Sequence, residues 1–315
     1  MEDVKKPQLQ DGEVLIKVEC SSVHPADAMM VQGVYSRGAT FPFRVGLVGI
    51  GHVIERKKTG FSGWLIRNKR VVFAMPQGTF GSWAECITTL PSLCFPLPDA
   101  LPSEAAVNLL SNGATAVGVV KFLKKARTRG AIITGAAGDF GRLVRHQLRA
   151  EGMIAICVVR SHKQVMQLST EGEKYVLDFS LPDFDDQLAK LTSSLSITGA
   201  VDTIAGNLPE RLLRAMPLKT NVIMIGRLSG EKIEVDAMEP MISKSGTILG
   251  FNIDHWYESQ SMISALIALR QASKLLLNFP PPEPKYRYSL QEVVENFDKT
   301  ITRTTAGKTL IYPHK

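Results

Sequence analysis

The segment Ala131-Ile132-Ile133-Thr134-Gly135-Ala136-Ala137-Gly138-Asp139-Phe140-Gly141 constrains the fold of this chain more than any other. A compact apolar β run leads into three evenly spaced glycines, and an amphipathic helical stretch from Arg142 to Ala150 follows. A dinucleotide pyrophosphate needs such a unit: a tight turn after a strand, backbone free of side chains, and a helix N-terminus whose amides meet the anion. Gly135, Ala136, Ala137, Gly138 and Gly141 are therefore the candidate cofactor-binding residues. Their G-x-x-G-x-x-G spacing differs from the G-x-G-x-x-G fingerprint, and an ordinary glycine-rich β-to-α turn is the alternative. The kinase-like Asp139-Phe140-Gly141 has no preceding H-R-D loop and is set aside.

The flanking sequence gives the turn its setting. β runs at Ala131 to Thr134, Met153 to Val159, Tyr175 to Phe179, Ala200 to Ile204, Asn221 to Ile225 and Thr247 to Phe251 alternate with helical stretches such as Leu208 to Met216. Strand-helix alternation predicts a parallel sheet covered by helices on both faces, the doubly wound Rossmann pattern. From Glu13 to about Asp99 the chain is instead made of short β runs punctuated by Gly and Pro, a β-rich first domain. The proline run Pro280-Pro281-Pro282 cannot continue a helix and marks a return to that first domain. The expected division is 1–108 with 280–315, and 109–279. Ser289 and Glu292 predict a capping box, and Lys308 to Tyr312 a terminal strand.

Cofactor preference follows from the end of the second β run. An NAD-specific fold places an acid roughly 20 residues beyond the glycines, whereas a cation there accommodates a 2′-phosphate. Here the run ends Val159-Arg160-Ser161-His162-Lys163. Arg160, Ser161 and Lys163 thus predict NADPH, because guanidinium geometry matches phosphate. A solvated strand-end arginine is the other reading. Ile225 and Gly226, at the end of a later β run, complete the expected cofactor set.

Composition removes several alternatives. The 37 Lys and Arg against 30 Asp and Glu give a net charge of +7, ordinary for a basic soluble surface. Basic clusters at Arg56-Lys57-Lys58 and around Lys121 to Arg129 lack interleaved aromatics, so nucleic acid is not the expected partner. No apolar run reaches the roughly 18 residues needed to span a bilayer, and no membrane partner is expected. The N-terminal residues show neither a signal core nor a presequence; a cytoplasmic location is expected, or mitochondrial if an N-terminal segment is removed. Cys20, Cys86, Cys94 and Cys157 are scattered without metal-ligand spacing, and no metal is predicted.

Further motifs carry a family resemblance. Glu13 to Val18, His24 to Tyr35, Val45 to Gly51, Gly81-Ser82-Trp83-Ala84-Glu85, Asn112-Gly113-Ala114-Thr115-Ala116 and Ala306 to Ile311 run in order through the chain. Together they resemble the medium-chain dehydrogenase/reductase superfamily, which implies a GroES-like catalytic domain beside the Rossmann domain. Zinc-dependent members carry Cys and Gly-His-Glu where this chain has His24 and Gly46-Leu47-Val48. One ligand does not make a zinc site. The resemblance thus points to the zinc-free branch: quinone oxidoreductase-like, prostaglandin reductase-like and enoyl thioester reductase-like proteins.

Within that branch, Val31-Gln32-Gly33-Val34-Tyr35 is similar to the enoyl thioester reductases, and Phe43 to Gly51 to the prostaglandin reductase-like group. The resemblance implies NADPH-dependent reduction of an enone, enoyl thioester or quinone by hydride transfer. It makes Tyr35 the candidate acid or oxyanion donor, with Asn112 and Thr115 beside the nicotinamide. His24 stands where the family has Asn, and its pKa range makes it a second proton donor or a structural histidine. Trp64, Trp83, Phe251 and Trp256 are candidate substrate-region aromatics, with Phe251 and Trp256 assigned to substrate binding. Relatives commonly dimerise through an edge strand, matched here by Thr247 to Phe251, so a homodimer is expected. Two departures are expected from the resemblance: the chain would begin late relative to the family, without its opening hairpin, and Asp139 places a carboxylate in a turn meant for phosphate. A non-catalytic NADPH-binding protein, with or without RNA binding through its basic surface, is the competing expectation.

Overall fold

The structure, a computed structural model, describes residues 5–33, 43–76, 81–236, 238–302 and 308–315. The chain forms two compact units, Met1–Ser111 with Leu276–Lys315, and Asn112–Leu275. Strands are numbered along the whole chain.

The first unit is built on β1 (Val14–Ser22), β2 (Val48–Arg56), β3 (Arg70–Ala74), β4 (Cys86–Thr89), β5 (Cys94–Pro96), β12 (Tyr286–Tyr288) and β13 (Thr309–Ile311). Among the described residues they make one sheet in the order β12-β13-β1-β2-β3-β5, with β4 also paired to β1. Alternate apolar side chains of β1, Val14, Ile16 and Val18, meet Val53, Ile66, Val71, Phe73 and Ile87 in a common core. Period-two patterning is what drives this burial. Ser289 and Glu292 form the predicted capping box, with Ser289 N donating to Glu292 Oε2 at 2.7 Å and Glu292 N to Ser289 Oγ at 3.2 Å. The helix Met262–Asn278 ends just before Pro280, where proline withdraws an amide donor.

The second unit contains β6 (Gly130–Thr134), β7 (Ile154–Val159), β8 (Val176–Asp178), β9 (Gly199–Asp202), β10 (Asn221–Met224) and β11 (Thr247–Gly250). All pair in parallel, in the order β11-β10-β9-β6-β7-β8. On one face Ile132, Ile156, Val158 and Val222 pack with Phe184, Leu188, Leu208 and Leu212 of the helices Phe184–Leu195 and Leu208–Ala215. Side chains alternate across the sheet, so Ile133 and Cys157 take the other face, where Ala114–Lys125 and Asp139–Ala150 pack on each other. The second unit thus has the doubly wound α/β architecture, and the first is β-rich.

Strand ends differ slightly from the sequence reading. Ile204 is not in β9, because Asp202 Oδ2 accepts from Ala205 N at 2.7 Å and turns the chain. Ala205 and Gly206 then take left-handed φ values of 68° and 66°. The helix after the glycine turn starts at Asp139, not Arg142, because Gly138 serves as its N-cap. Among the described residues, no helix is long and apolar enough to cross a membrane.

Candidate functional site

The strand order reverses between β6 and β9, whose connections leave to opposite sides. In such sheets ligands bind outside the carboxyl ends of the strands at this switch point. Parallel pairing brings the ends of β6, β7, β9 and β10 to one edge, and with them Gly135 to Gly138, Arg160 to Lys163, and Ile225-Gly226.

The glycine turn fits a close-approaching ligand. Gly135 has φ of 61°, a conformation costly for any residue with a Cβ, and a Cβ there would lie 2.7 Å from Thr203 Oγ1. Gly138 N donates to Gly135 O at 3.0 Å, closing the turn, while Arg142 N donates to Gly138 O at 2.9 Å, opening the helix. A Cβ on Gly141 would meet Gly135 O at 2.5 Å and Ala136 Cα at 2.7 Å, so helix and turn can pack this tightly only with glycine. No side chain caps the helix N-terminus, which keeps its first-turn amides open to an anion.

Behind the turn lies a polar network that sequence reasoning missed. Thr134 Oγ1 donates to buried Asp202 Oδ1 at 2.6 Å and accepts from Thr203 N at 2.9 Å, while Thr203 Oγ1 donates to Thr134 O at 3.2 Å. Burial raises the pKa of Asp202, opposed by the hydrogen bonds from Thr134 and the backbone. Ile225 N, at the end of β10, donates to Asp202 O at 2.8 Å, and exposed Gly226 follows it.

Arg145 was also missed. It is only 2% exposed; its Nε donates to Ala136 O at 3.0 Å, and its other nitrogens reach Glu173 at 2.6 Å and Glu171 at 3.0 Å. The signal was legible, because Gly141, Val144, Arg145 and Leu148 share one helical stripe and all are buried. An arginine on a buried stripe requires partners.

The Asp139 carboxylate acts electrostatically on Arg142 of the same helix. Burial lowers the pKa of Arg142, and the Asp139 carboxylate acts in the opposite direction, favouring its charged form. At the end of β7, Arg160 and Lys163 are exposed, with no carboxylate partner among the described residues. Ser161 is the N-cap of the helix His162–Thr170, and Gln164 Oε1 accepts from Arg160 N at 3.2 Å.

The remaining candidates are distributed. Asn112 lies in a π-helical turn, Leu109–Gly113, and Thr115 in the first turn of Ala114–Lys125; both are half-buried. Such π turns recur at functional positions. Phe251 and Trp256 lie with ring centroids 6.3 Å apart against Gly118 of that helix. In the first unit, His24 caps the helix Pro25–Val31: its Nδ1 accepts from Ala26 N at 3.3 Å, and its N donates to Asp27 Oδ2 at 2.7 Å. Tyr35, with the matched residues Ala306 and Gly307, lies outside the described residues. Among the described residues no group of three His, Cys, Asp or Glu is placed to hold a metal ion.

Comparison with known proteins agrees with this architecture. Residues 10–99 match the alcohol dehydrogenase GroES-like domain. The chain is 21% identical to prostaglandin reductase-3 of Mus musculus, over 99% of this chain and 84% of that one. It is 24% identical to the mitochondrial enoyl-[acyl-carrier-protein] reductase of Xenopus tropicalis, over 92% and 83%. A solved structure from Mesorhizobium loti, a candidate NADPH:quinone reductase, superposes with a TM-score of 0.85 at 25% identity, covering 98% of this chain and 88% of that one. With the GroES-like match in the first unit and the switch-point glycine turn in the second, the chain is similar in sequence and fold to oxidoreductases of the medium-chain dehydrogenase/reductase superfamily.

Proposed function

We propose that this chain is a zinc-independent, NADPH-dependent reductase acting on an activated C=C bond, of an enone or enoyl thioester, or on a quinone. The observation that carries this reading is the pairing of a glycine-rich turn at the switch point with exposed Arg160 and Lys163 at the next strand end, neither with a carboxylate partner among the described residues. Gly135, Ala136, Ala137, Gly138 and Gly141 would accept the pyrophosphate, with Ile225 and Gly226 along the same edge. Arg160, Ser161 and Lys163 would hold the 2′-phosphate by charge-assisted hydrogen bonds. The names of the mouse, frog and bacterial proteins span the same reaction classes.

Bound in this cradle, the cofactor supplies the hydride. The chain must orient the substrate, stabilise the developing enolate oxygen and deliver a proton. Tyr35 is the proposed acid or oxyanion donor, and Asn112 and Thr115 the proposed positioning groups at the nicotinamide. The bonds His24 makes to its own helix favour a capping role over proton donation. Phe251 and Trp256 are proposed to meet the substrate's apolar portion, although both also pack on Gly118. Leu47 and Val48 in place of metal-binding residues support zinc independence.

A homodimer is proposed through β11. It is the terminal strand of its sheet, and exposed Ile242, Met262 and Ile263 belong to the same unit. Light scattering tests this, a monomeric mass refuting it.

The test of function is NADPH oxidation against a crotonyl thioester, a linear enone and a para-quinone, with Tyr35→Phe as comparison. Turnover of one of them, reduced in the variant, is the expected result. NADPH binding without turnover of any substrate would instead identify a non-catalytic NADPH-binding protein.

A further inference from the structure

The helix Gly60–Leu65 in the first unit is turned inside out. Phe61, Trp64 and Leu65 stand at i, i+3 and i+4 and so share one face, the arrangement that ordinarily packs into a core. Here they are 72%, 57% and 44% exposed. The helix is held from its other side: Gly63 is buried, Ser62 Oγ donates to Thr59 O at 3.2 Å, and Ile66 enters the core with Val53 and Val71. Phe61 and Trp64 stack on each other, with centroids 5.8 Å apart and an interplanar angle of 18°.

Cations bracket this face. Arg56, Lys57 and Lys58 precede the helix and Arg67 and Lys69 follow it, all exposed. Arg56 and Arg67 line one shallow depression with exposed Ile54. Among the described residues the nearby carboxylates are engaged: Asp11 with Lys58 at 2.8 Å and Lys57 at 3.5 Å, Glu55 with Lys6, and Glu13 Oε2 accepting from Gln10 N at 2.8 Å. Arg56, Arg67 and Lys69 have no acidic partner among the described residues.

We propose that the Phe61-Trp64-Leu65 face, with Arg56, Arg67 and Lys69, docks on the surface of an anionic lipid bilayer. Aromatic and aliphatic side chains would enter the headgroup boundary while the long cationic side chains reach lipid phosphates. The charge complement is with an anionic partner, and the aliphatic component with acyl chain instead of nucleobase. The two rings are closed on each other, leaving no open row of ring faces for successive bases. Such docking requires no membrane-spanning segment, so the exclusion drawn from apolar run length does not bear on it.

The test is co-sedimentation of the full chain with phosphatidylcholine vesicles with and without phosphatidylserine. Binding is expected only to the mixed vesicles, lost in Phe61→Ser/Trp64→Ser and weakened about fivefold for each of Arg67→Gln and Lys69→Gln. Added salt should weaken it further by screening. Phe61→Tyr/Trp64→Tyr, which keeps interface-seeking rings, should retain binding and guards against a folding defect, checked by circular dichroism. No binding to the mixed vesicles, binding indifferent to the serine substitutions in a folded variant, or preferential capture of poly(U) RNA by the same residues would each overturn the proposal.

Discussion

Thr134 Oγ1 donates a 2.6 Å hydrogen bond to Asp202 Oδ1, tying the end of β6 to the end of β9 where the strand order reverses. The other carboxylate oxygen accepts from Ala205 N at 2.7 Å, so both oxygens act as acceptors in a buried setting. Asp202→Asn places an amide donor against one of two donors. It is expected to cost about 1–3 kcal/mol of stability. Chemical denaturation would measure this, and NADPH titration should show weaker binding as the glycine turn loses its backing.

Arg160 is the residue proposed to decide between the two nicotinamide cofactors. Arg160→Gln removes a charged donor without disturbing the backbone, since the side chain is exposed. NADPH affinity should fall roughly ten- to a hundredfold, the range for a charge-assisted hydrogen bond. NADH affinity should remain unchanged. Calorimetric titration with both cofactors checks the split, and equal losses would remove Arg160 from the phosphate site.

Asp139 should act in opposite directions on binding and on stability. In the first helical turn a carboxylate favours the helix dipole, and Asp139 also acts on Arg142. Asp139→Asn therefore lowers thermal stability slightly. It should tighten NADPH binding about two- to fivefold, because a carboxylate beside the open amides repels the phosphate they would receive.

Arg145 couples the turn to the segment beyond β7. Arg145→Ala leaves the buried Glu173 carboxylate with only the more exposed Arg149, at 2.8 Å. A loss of about 3–5 kcal/mol is expected, as for other broken buried pairs. Arg145→Met with Glu173→Gln should recover much of it, because no buried unpaired charge then remains, Glu171 and Arg149 both reaching solvent. Denaturation midpoints of the two variants test this.

The acid limb of stability should carry a signature of Glu19. Burial raises its pKa, but hydrogen bonds from Arg70 and Ser103 outweigh burial and hold it below the ordinary 4.5. A carboxylate whose folded pKa is depressed contributes stability above its unfolded pKa and loses it as pH falls through the folded value. Glu19→Gln should thus be less stable at neutral pH by about 1–3 kcal/mol. Its loss of stability on acidification should be shallower than that of the parent, as followed by melting temperature against pH.

The glycine turn, the alternating β and helical runs, the Ser289 cap and the cationic end of β7 were legible in the sequence. Each follows from local spacing or from residue types that admit few conformations. Gly135 needs its left-handed φ and Ser289 its partner three residues on, whatever the rest of the chain does. Arg145 was half legible, as a charge on a buried stripe whose partners lie beyond the next strand. The Thr134 to Asp202 bond was not legible, because sheet order alone brings two strands distant in sequence side by side. Trp64 was singled out only as a candidate substrate-region aromatic, and its exposed stack with Phe61 was not legible. Their i, i+3 spacing reads as core, and only tertiary packing, which buries Gly63 and Ile66 instead, decided that this face meets solvent.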